Sequence, residues 1–371
     1  MSGQNIGRRL TTRIAPLFFN DKPRVTRGAF ADDMAAEEQR LVPIATLSGH
    51  TEVRVWHVAW SPSGDTLASC GEDRSIRLWA PGGPGREDSW HCVAVLEEGH
   101  QRTIRWCAWS PDAQFIASCS FDGTASVWEA LDGEFDCVAQ LEGHENEVKA
   151  VAWSASGQLL ATCGRDKSVF IWEVADENYE VAGVLHAHTA DVKAVAWHPR
   201  LELLASASYD DTLKLYAQSD DEWRCTTTLK AHTSTVWALA FSPDGTSLAS
   251  CSDDRSVVLW RDTNGEGGYV PAASLHAVHE RCIYTLDWAR DPAEPAGGGL
   301  IATGGADDAI ALMRASTPAE GPAGAGSLAA LGRTPSAHAA DINSVAWRPG
   351  GGDVLASCGD DGSVRLWRVS R

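Results

Sequence analysis

One pattern of about 44 residues recurs seven times along the chain, and this period limits the fold more than any other feature of the sequence. Each copy has a histidine, an aromatic residue nine or ten positions later, and then a hydroxyl residue four positions before an aspartate. In five copies a tryptophan follows that aspartate by six positions. The histidines are His50, His100, His144, His188, His232, His279 and His338. The aspartates are Asp73, Asp122, Asp166, Asp210, Asp254, Asp307 and Asp361. Self-similarity of this length predicts one supersecondary unit per copy, with the units packed side by side.

The same residues could also form a catalytic apparatus. In the third copy, His144 resembles a general base, Thr162 a nucleophile and Asp166 an orienting carboxylate, as in acyl-transfer enzymes. Seven equivalent copies argue against this interpretation, because one chain has no use for seven identical active sites. We therefore expect no catalytic residues and no enzyme activity. A hydrolase is kept as an alternative, which requires an activity that mutation abolishes without unfolding the chain.

Short apolar segments between turns predict the secondary structure. The third copy contains VKAVAW, QLLATC and SVFIW, which are rich in β-branched and aromatic residues and separated by SASG and GRDK, so we interpret them as strands. Gly-His at one end of the period, with Asp and then Trp near the other, resembles a WD40 repeat, in which each repeat is one four-stranded blade. The expected fold class is all-β: a seven-bladed WD40 β-propeller, with residues 41–371 as one domain.

The recurring polar residues have a structural role in such a blade. Trp172 can donate its indole N–H to Thr162, and that hydroxyl can bond His144. The second ring nitrogen of His144 can reach Asp166. The second copy offers the equivalent quartet of His100, Ser118, Asp122 and Trp128. In the sixth copy Met313 stands at the tryptophan position and cannot donate, so we expect the sixth blade to be the least regular.

The two ends of the chain are expected to close the ring. The chain ends at SVRLWRVSR, a third strand with no fourth strand after it, whereas residues 42–47 precede the first Gly-His without three strands of their own. We expect residues 42–47 to be the outer strand of the last blade, because this pairing leaves no unpaired edge between the first and last blades. Residues 1–40 then form an N-terminal extension that we expect to be disordered.

The charge of the chain argues against nucleic acid as a partner. The net charge is −19, and residues 1–30 carry six basic residues against one acidic residue, so the rest of the chain carries −24. An acidic surface repels phosphate backbones. No apolar run is long enough for a transmembrane helix, so no membrane partner is expected. The basic first 30 residues weakly resemble a transit peptide, which leaves organellar targeting as an alternative to a cytoplasmic and nuclear location.

The ten cysteines do not indicate a metal or cofactor site. None has the CxxC spacing of a metal-ligand pair, and we expect neither a metal nor a cofactor. Five cysteines share one position on the second strand of a blade, where cysteine is expected to be a small buried apolar residue. They are Cys70, Cys119, Cys163, Cys251 and Cys358. Five histidines outside the quartets are expected in loops or at the surface. They are His57, His91, His186, His198 and His276.

A contact between each histidine and its aspartate would place two turns of every blade at the same end of the propeller. Residues beside these turns then share one face. They combine aromatic rings with cations, which is the composition of interface hot spots. The residues expected to bind partners are Trp56, Arg105, Lys149, Lys193, Trp237, Tyr284, Phe121, Arg165 and Tyr209. The alternative is that some of these rings only pack between adjacent blades.

Longer segments resemble one WD40 family in particular. The chain is similar, over residues 42–369, to the WD40 subunit of the cytosolic iron-sulfur protein assembly machinery, in the segments EEGHQRTIR, LEGHENEVKAVAW, RDKSVFIW, HPRLELLASASYDDTLKLY, HTSTVWALAF and ASCSDDRSVVLW. The resemblance implies a non-catalytic docking scaffold. Its implied partners are an iron-hydrogenase-like cluster carrier, a small assembly-domain subunit, a HEAT-repeat adaptor and apo iron-sulfur proteins. The resemblance also implies a functional surface role for Arg165, which matches the Arg of the family's RDKS turn.

The chain departs from the family pattern in three places. Residues 1–40 have no counterpart, Gly164 stands where Ser is usual, and Ala306 and Met313 make the sixth blade divergent. Contacts through the sixth blade are therefore not carried over from the family. A second function hypothesis also stays open: a generic WD40 substrate receptor or adaptor, for example in ubiquitin ligation, which predicts a different set of co-purifying proteins.

Overall fold

A computed structural model describes residues 25–27, 40–50, 52–83, 89–131, 133–175, 178–291, 298–316, 326–350 and 352–370. These residues form 29 β-strands in seven sheets. Each sheet is one blade, whose strands are named a, b, c and d from the central axis outward. No described segment forms a helix that is long and apolar enough to cross a membrane.

The first four blades follow one another along the chain. Blade 1 contains β3 (Val55–Trp60), β4 (Leu67–Gly71), β5 (Ile76–Pro81) and β6 (Trp90–Leu96). Blade 2 contains β7 (Ile104–Trp109), β8 (Phe115–Ser120), β9 (Ala125–Leu131) and β10 (Glu134–Leu141). Blade 3 contains β11 (Val148–Trp153), β12 (Leu159–Gly164), β13 (Val169–Ala175) and β14 (Asn178–Leu185). Blade 4 contains β15 (Val192–Trp197), β16 (Leu203–Ser208), β17 (Leu213–Ser219) and β18 (Glu222–Leu229).

The last three blades include the only two strands that are out of sequence order among those described. Blade 5 contains β19 (Val236–Phe241), β20 (Ser247–Ser252), β21 (Ser256–Asp262), β22 (Tyr269–His276) and the short β1 (Val25–Arg27). Blade 6 contains β23 (Ile283–Arg290), β24 (Gly299–Gly305), β25 (Ile310–Ser316) and β26 (Ser327–Thr334). Blade 7 contains β27 (Ile342–Trp347), β28 (Val354–Gly359), β29 (Val364–Ser370) and β2 (Arg40–Leu47).

The inner strands are buried because neighbouring blades pack against both of their faces. In blade 3, five of the six residues of strand b are buried, whereas the outer strand d has one buried residue in eight. Ile171 of blade 3 packs with Trp197 and Leu204 of blade 4 in one apolar cluster. Burial of such side chains is the main favourable term in folding. The core is therefore distributed between adjacent blades around the ring.

The ring closes through the two ends of the propeller sequence. Strand β2 pairs antiparallel with β29, with Leu47 opposite Val364, and becomes the outer strand of blade 7. On the axis, Trp60 of blade 1 donates its indole N–H to the carbonyl of Ala346 in blade 7, at 3.0 Å. The all-β, seven-bladed propeller closed by N- and C-terminal strands is thus confirmed.

Part of the N-terminal extension departs from the expected disorder. Val25–Arg27 forms a strand that pairs in parallel with β22, with Val25 opposite Ser274. Residues 1–24 and 28–39 lie outside the described part of the chain. The division into an extension, residues 1–40, and one propeller domain, residues 41–371, stays a prediction.

The expectations for cysteine and histidine have mixed outcomes. All five strand-b cysteines are buried, as expected. The surface assignment of His198 is wrong, because only 4% of this residue is exposed. Its Nε2 lies 3.0 Å from the carbonyl of Gly245, and its Nδ1 accepts the N–H groups of Arg200 and Leu201. His57 lies on strand a, where its ring stacks on Trp106 with centroids 3.8 Å apart.

Candidate protein-docking face

The quartet of each blade joins two turns at one end of the propeller. In blade 3, Nδ1 of His144 lies 2.7 Å from Asp166 and Nε2 lies 2.9 Å from the hydroxyl of Thr162. Trp172 donates its indole N–H to the same hydroxyl at 3.0 Å. Because an ionised carboxylate only accepts hydrogen bonds, Nδ1 carries the proton and Nε2 accepts from the hydroxyl. The turn before strand a is thereby fixed to the turn between strands b and c.

The second blade has the same arrangement. His100 contacts Asp122 and Ser118 at 3.2 and 2.9 Å, and Trp128 donates to Ser118 at 2.9 Å. The histidine and aspartate also meet in the other five blades. The structure therefore brings together all eight quartet residues named from the sequence in blades 2 and 3.

The carboxylates of these quartets are held in their charged form. Burial alone would raise the pKa of Asp166, but hydrogen bonds from His144 and Ser168 outweigh burial and lower that pKa to about 2. The pKa of Asp122 is lowered in the same way by His100 and Thr124, again against the effect of burial. These buried hydrogen bonds give the quartet an architectural role.

Blades 4 and 6 lack the tryptophan of the quartet. In blade 4, the hydroxyls of Ser206 and Tyr216 lie 3.2 Å apart. In blade 6, Met313 is fully buried and has no N–H to donate, and the hydroxyl of Thr303 lies 2.9 Å from Nε2 of His279. Arg333 adds a hydrogen bond to Asp307 at 2.9 Å. Blade 6 is therefore divergent in its contacts but forms a complete four-stranded sheet.

The quartets define the upper face of the propeller, and strand a of each blade begins there at the mouth of the central channel. Backbone hydrogen bonds fix the paired turns at this face, including Arg165 N–H to the carbonyl of Glu147 at 2.9 Å and Tyr209 N–H to that of Asp191 at 2.9 Å. The mouth is defined here by the second residue of each strand a. These residues are Trp56, Arg105, Lys149, Lys193, Trp237, Tyr284 and Asn343.

In blades 1 to 3, the predicted partner-binding residues form a continuous series of ring and cation contacts. The Arg105 guanidinium lies 4.9 Å from the ring centroid of Trp56, which packs edge-on against Phe121 at 6.1 Å. Lys149 Nζ lies 4.1 Å above the Phe121 ring. Cations over aromatic faces are attracted by the ring quadrupole. The rings of Trp56 and Phe121 thus pack between adjacent blades and also stay partly exposed at the upper face.

A second series follows in blades 4 to 6. Lys193 Nζ lies 3.9 Å from the ring of Tyr209 and 5.1 Å from that of Trp237. The Trp237 ring contacts Tyr209 at 5.7 Å and Tyr284 at 5.0 Å. Tyr209 is 45% exposed, a large fraction for an aromatic residue. Exposed aromatic rings whose positions are fixed by their neighbours are suited to protein contacts.

Arg165 projects outside these two series. Its side chain is 55% exposed and reaches Glu147 at 3.7 Å. The same carboxylate pairs with Lys149 at 2.6 Å and with Arg102 at 3.7 Å. Although burial would raise the pKa of Glu147, Lys149 and the two arginines lower it. One carboxylate therefore serves three cations, and the predicted residue Arg165 belongs to a locally cationic surface.

Sequence reasoning missed several residues of the upper face. Arg102 and Glu147 precede strand a in blades 2 and 3, and Asp341 precedes strand a in blade 7, where it adds to the acidic residues Asp253 and Asp360 of blades 5 and 7. The thiol of Cys282 donates to Asp253. For Arg102, Glu147 and Asp341, the position between the quartet histidine and strand a is the sequence signal that could have identified them. Within the described residues no cluster of three or more His, Cys, Asp or Glu side chains could hold a metal ion.

Comparison with known proteins identifies the class. The family model described as WD domain, G-beta repeat matches residues 41–80, 90–129, 135–173, 179–217, 223–261 and 330–368. The fold and these matches define a WD40-repeat propeller, a fold that typically has no catalytic role. The family model has no match over residues 262–329, which contain the first three strands of the divergent sixth blade.

The relatives narrow the class further. A Chlamydomonas reinhardtii protein named as a cytosolic iron-sulfur protein assembly protein CIAO1 homolog is 46% identical over 354 residues, which cover 88% of this chain and 98% of that protein. Arabidopsis thaliana Protein CIA1 is 43% identical over 117 residues, 30% of this chain and 32% of its own length. A Danio rerio ciao1 protein with the same assembly name is 54% identical over 59 residues, 16% of this chain and 17% of its own. The chain belongs to this CIAO1/CIA1 family of WD40 proteins.

Proposed function

We propose that this protein is a non-catalytic docking scaffold in cytosolic iron-sulfur protein assembly, and that partners dock on the upper face. The observation that carries the proposal is the fixed arrangement of partly buried rings and cations around the channel mouth, from Trp56 through Arg105, Lys149 and Lys193 to Trp237. The names of the relatives support the pathway. They also support a cytoplasmic location.

The proposed partners follow from the resemblance to the assembly machinery. They are a cluster carrier of the iron-hydrogenase-like type, a small assembly-domain subunit, a HEAT-repeat adaptor and apo iron-sulfur proteins. A rigid propeller is suited to hold several of them, because its faces and edges are separate surfaces on one body. The cluster would be cargo of the partners, and the propeller would contribute protein contacts.

A pull-down with a charge reversal at Arg165 tests this proposal. Tagged wild type and Arg165→Glu are incubated with cytosolic lysate, and bound proteins are identified by mass spectrometry. We expect wild type to recover iron-sulfur assembly factors and the variant to lose about tenfold or more, because reversing a charge inside an interface opposes docking. A thermal melt of each variant checks that the propeller is folded.

Arg224→Glu is the matched control. Arg224 lies on the outer strand β18, its side chain is also 55% exposed, and it too pairs with one glutamate, at 2.7 Å from Glu222. Its reversal should leave capture unchanged. Absence of every assembly factor from the wild-type eluate would overturn the pathway. Recovery of ubiquitin-ligase subunits in their place would favour the alternative of a substrate receptor.

A further inference from the structure

The guanidinium of Arg105 has no anionic partner in the described part of the structure. Its Nη1 is buried and makes no hydrogen bond, and no carboxylate of the described residues lies within 4.0 Å of the group. Its contacts are aromatic: the ring centroids of Trp56 and Trp106 lie 4.9 and 5.9 Å from the guanidinium carbon. Burial lowers the pKa of Arg105, as expected for a desolvated cation.

Two indole groups at the same mouth are also without acceptors. Nε1 of Trp56 and Nε1 of Trp237 are buried and unpartnered among the described atoms. Buried donors are normally hydrogen-bonded, and buried charges are normally paired, because desolvation without compensation is costly. Cation–π attraction compensates the guanidinium only in part. The residues of the channel mouth therefore include three buried donors without a partner among the described atoms: one cationic and two neutral.

The nearby lysines reinforce the positive potential at the mouth. The pKa of Lys193 falls to about 8, first because of burial and also because of the charges of Lys149 and Arg105, although Asp191 opposes the shift. Five cations of blades 2 to 4 lie at the mouth or in the turns beside it, and those that form ion pairs do so with two carboxylates. The cations are Arg102, Arg105, Lys149, Arg165 and Lys193, and the carboxylates are Glu147 and Asp191.

We propose that the channel mouth is an oxyanion site that receives the carboxylate of an acidic side chain on a docked partner protein. Arg105 pairs with that carboxylate, and the indole N–H group of Trp56, whose ring centroid lies 4.9 Å from the guanidinium carbon, supplies a neutral donor beside it. A carboxylate fits because its two oxygens match the fork of a guanidinium. The inference rests on the proposed docking function for the source of the carboxylate, whereas the chemistry of the site can be tested without any partner.

The direct test uses a short peptide as the probe. Full-length protein with 15N-labelled indoles is titrated with acetyl-Gly-Glu-Gly-amide and, in parallel, with the glutamine version of the peptide. We expect a saturable shift of the Trp56 indole signal with the glutamate peptide, and binding weaker by about tenfold with the glutamine peptide. Affinity should also fall above about pH 8, as Lys193, which faces Asp191, Tyr209, Lys149 and Arg105, loses its proton.

Variants separate the site from general charge effects. Arg105→Leu should abolish the saturable shift, and Arg105→Lys, which keeps the charge without the fork, should retain weakened binding even if the leucine variant is poorly folded. Arg224→Leu should bind as wild type does. Equal binding of the two peptides, or unchanged binding by Arg105→Lys and Arg105→Leu, would overturn the proposal. Tighter binding of inorganic phosphate than of the glutamate peptide would overturn the choice of a carboxylate.

The two proposals can fail separately. If lysate proteins of the assembly pathway dock in an Arg165-dependent manner but the peptide does not bind, the docking function stands and the oxyanion site is rejected. If the peptide binds and no assembly factor is captured, the site's chemistry stands and the pathway assignment is rejected.

Discussion

The innermost strands are linked in one way in blades 1 to 4 and in another way in blades 5 to 7. In the first group, a tryptophan at the end of strand a donates its indole N–H to the carbonyl of an alanine in the preceding blade, at 3.0 to 3.3 Å. The donors are Trp60, Trp109, Trp153 and Trp197. In the second group, Phe241 has no N–H to donate, and the indole nitrogens of Trp288 and Trp347 are buried without a described partner.

A carboxylate supplies a link of its own in the second group. The residue before the strand-a aromatic is alanine in six blades and Asp287 in blade 6. Its oxygens accept the backbone N–H of Trp288 at 2.8 Å and, across the blade boundary, that of Trp347 at 2.6 Å. Burial raises the pKa of Asp287 to about 6, against the effect of these two hydrogen bonds. Equivalent positions in a repeat can thus carry different bonds, because each bond depends on the neighbouring blade.

The same division appears on the upper face. Arg105, Lys149 and Lys193 lie at the mouth in blades 2 to 4, whose axis is linked by indole hydrogen bonds. Asp253 lies on blade 5, and Asp341 and Asp360 lie on blade 7. The pKa of Asp341 is raised, mainly by burial and further by the charge of Asp360. The regular part of the ring therefore carries the cations proposed for docking, and the divergent part carries the acidic surface.

The largest expected difference between the two regions concerns the quartet aspartates. Asp307→Ala in blade 6 should lower the free energy of unfolding by about 3 kcal/mol, and Asp166→Ala in blade 3 by about 2 kcal/mol. The reason is that Asp307 accepts from the cation Arg333 as well as from His279, so its loss leaves a partly buried charge with weaker pairing. Urea unfolding of both variants measures the difference. An equal or smaller loss at Asp307 would contradict this account of blade 6.

The next largest effect depends on pH and belongs to Asp287. Its folded pKa of about 6 lies above the ordinary aspartate value of 3.8, so the protonated form stabilises the fold at low pH and this contribution is lost as pH rises through about 6. Asp287→Asn does not titrate. From pH 5 to pH 8 the stability of the variant should therefore improve relative to wild type by about 1 to 2 kcal/mol. The free energy of unfolding of both proteins is measured from pH 5 to pH 8. The same pH dependence in the two proteins would contradict the raised pKa of Asp287.

The smallest expected effect is a difference in stability between variants of two tryptophans at equivalent positions. Trp109→Phe removes the indole hydrogen bond to Ala59, whereas Trp347→Phe removes an N–H that has no described partner. The two changes delete the same atoms, so the loss of the hydrogen bond should make the Trp109 variant less stable than the Trp347 variant by about 1 kcal/mol. Thermal melts of both variants provide the measurement. If Trp347→Phe were the more damaging change, the proposed difference between the two regions would be wrong.

Much of the fold was predictable because each blade repeats the same local chemistry. The period predicted the blades, the strand order and the closing strand, and the residue types of the quartet predicted its hydrogen bonds. Contacts between non-equivalent residues of neighbouring blades and turns were not predictable. The role of Asp287 depends on the Trp347 backbone in the next blade, and the shared carboxylate of Glu147 depends on arginines from other turns. A repeat pattern aligns equivalent residues, but it does not show which non-equivalent residues meet.

The central claim is that partners dock on the upper face, and hydrogen exchange measured by mass spectrometry tests it most directly. Deuterium uptake is compared for the free protein and for the protein with captured assembly factors bound. We predict protection of the upper-face turns at residues 102–105, 121–124, 147–149, 165–168 and 191–193, with little change in the lower-face turns at residues 61–66, 110–115 and 242–247. Protection confined to the lower-face turns, with the upper face unchanged, would contradict the account.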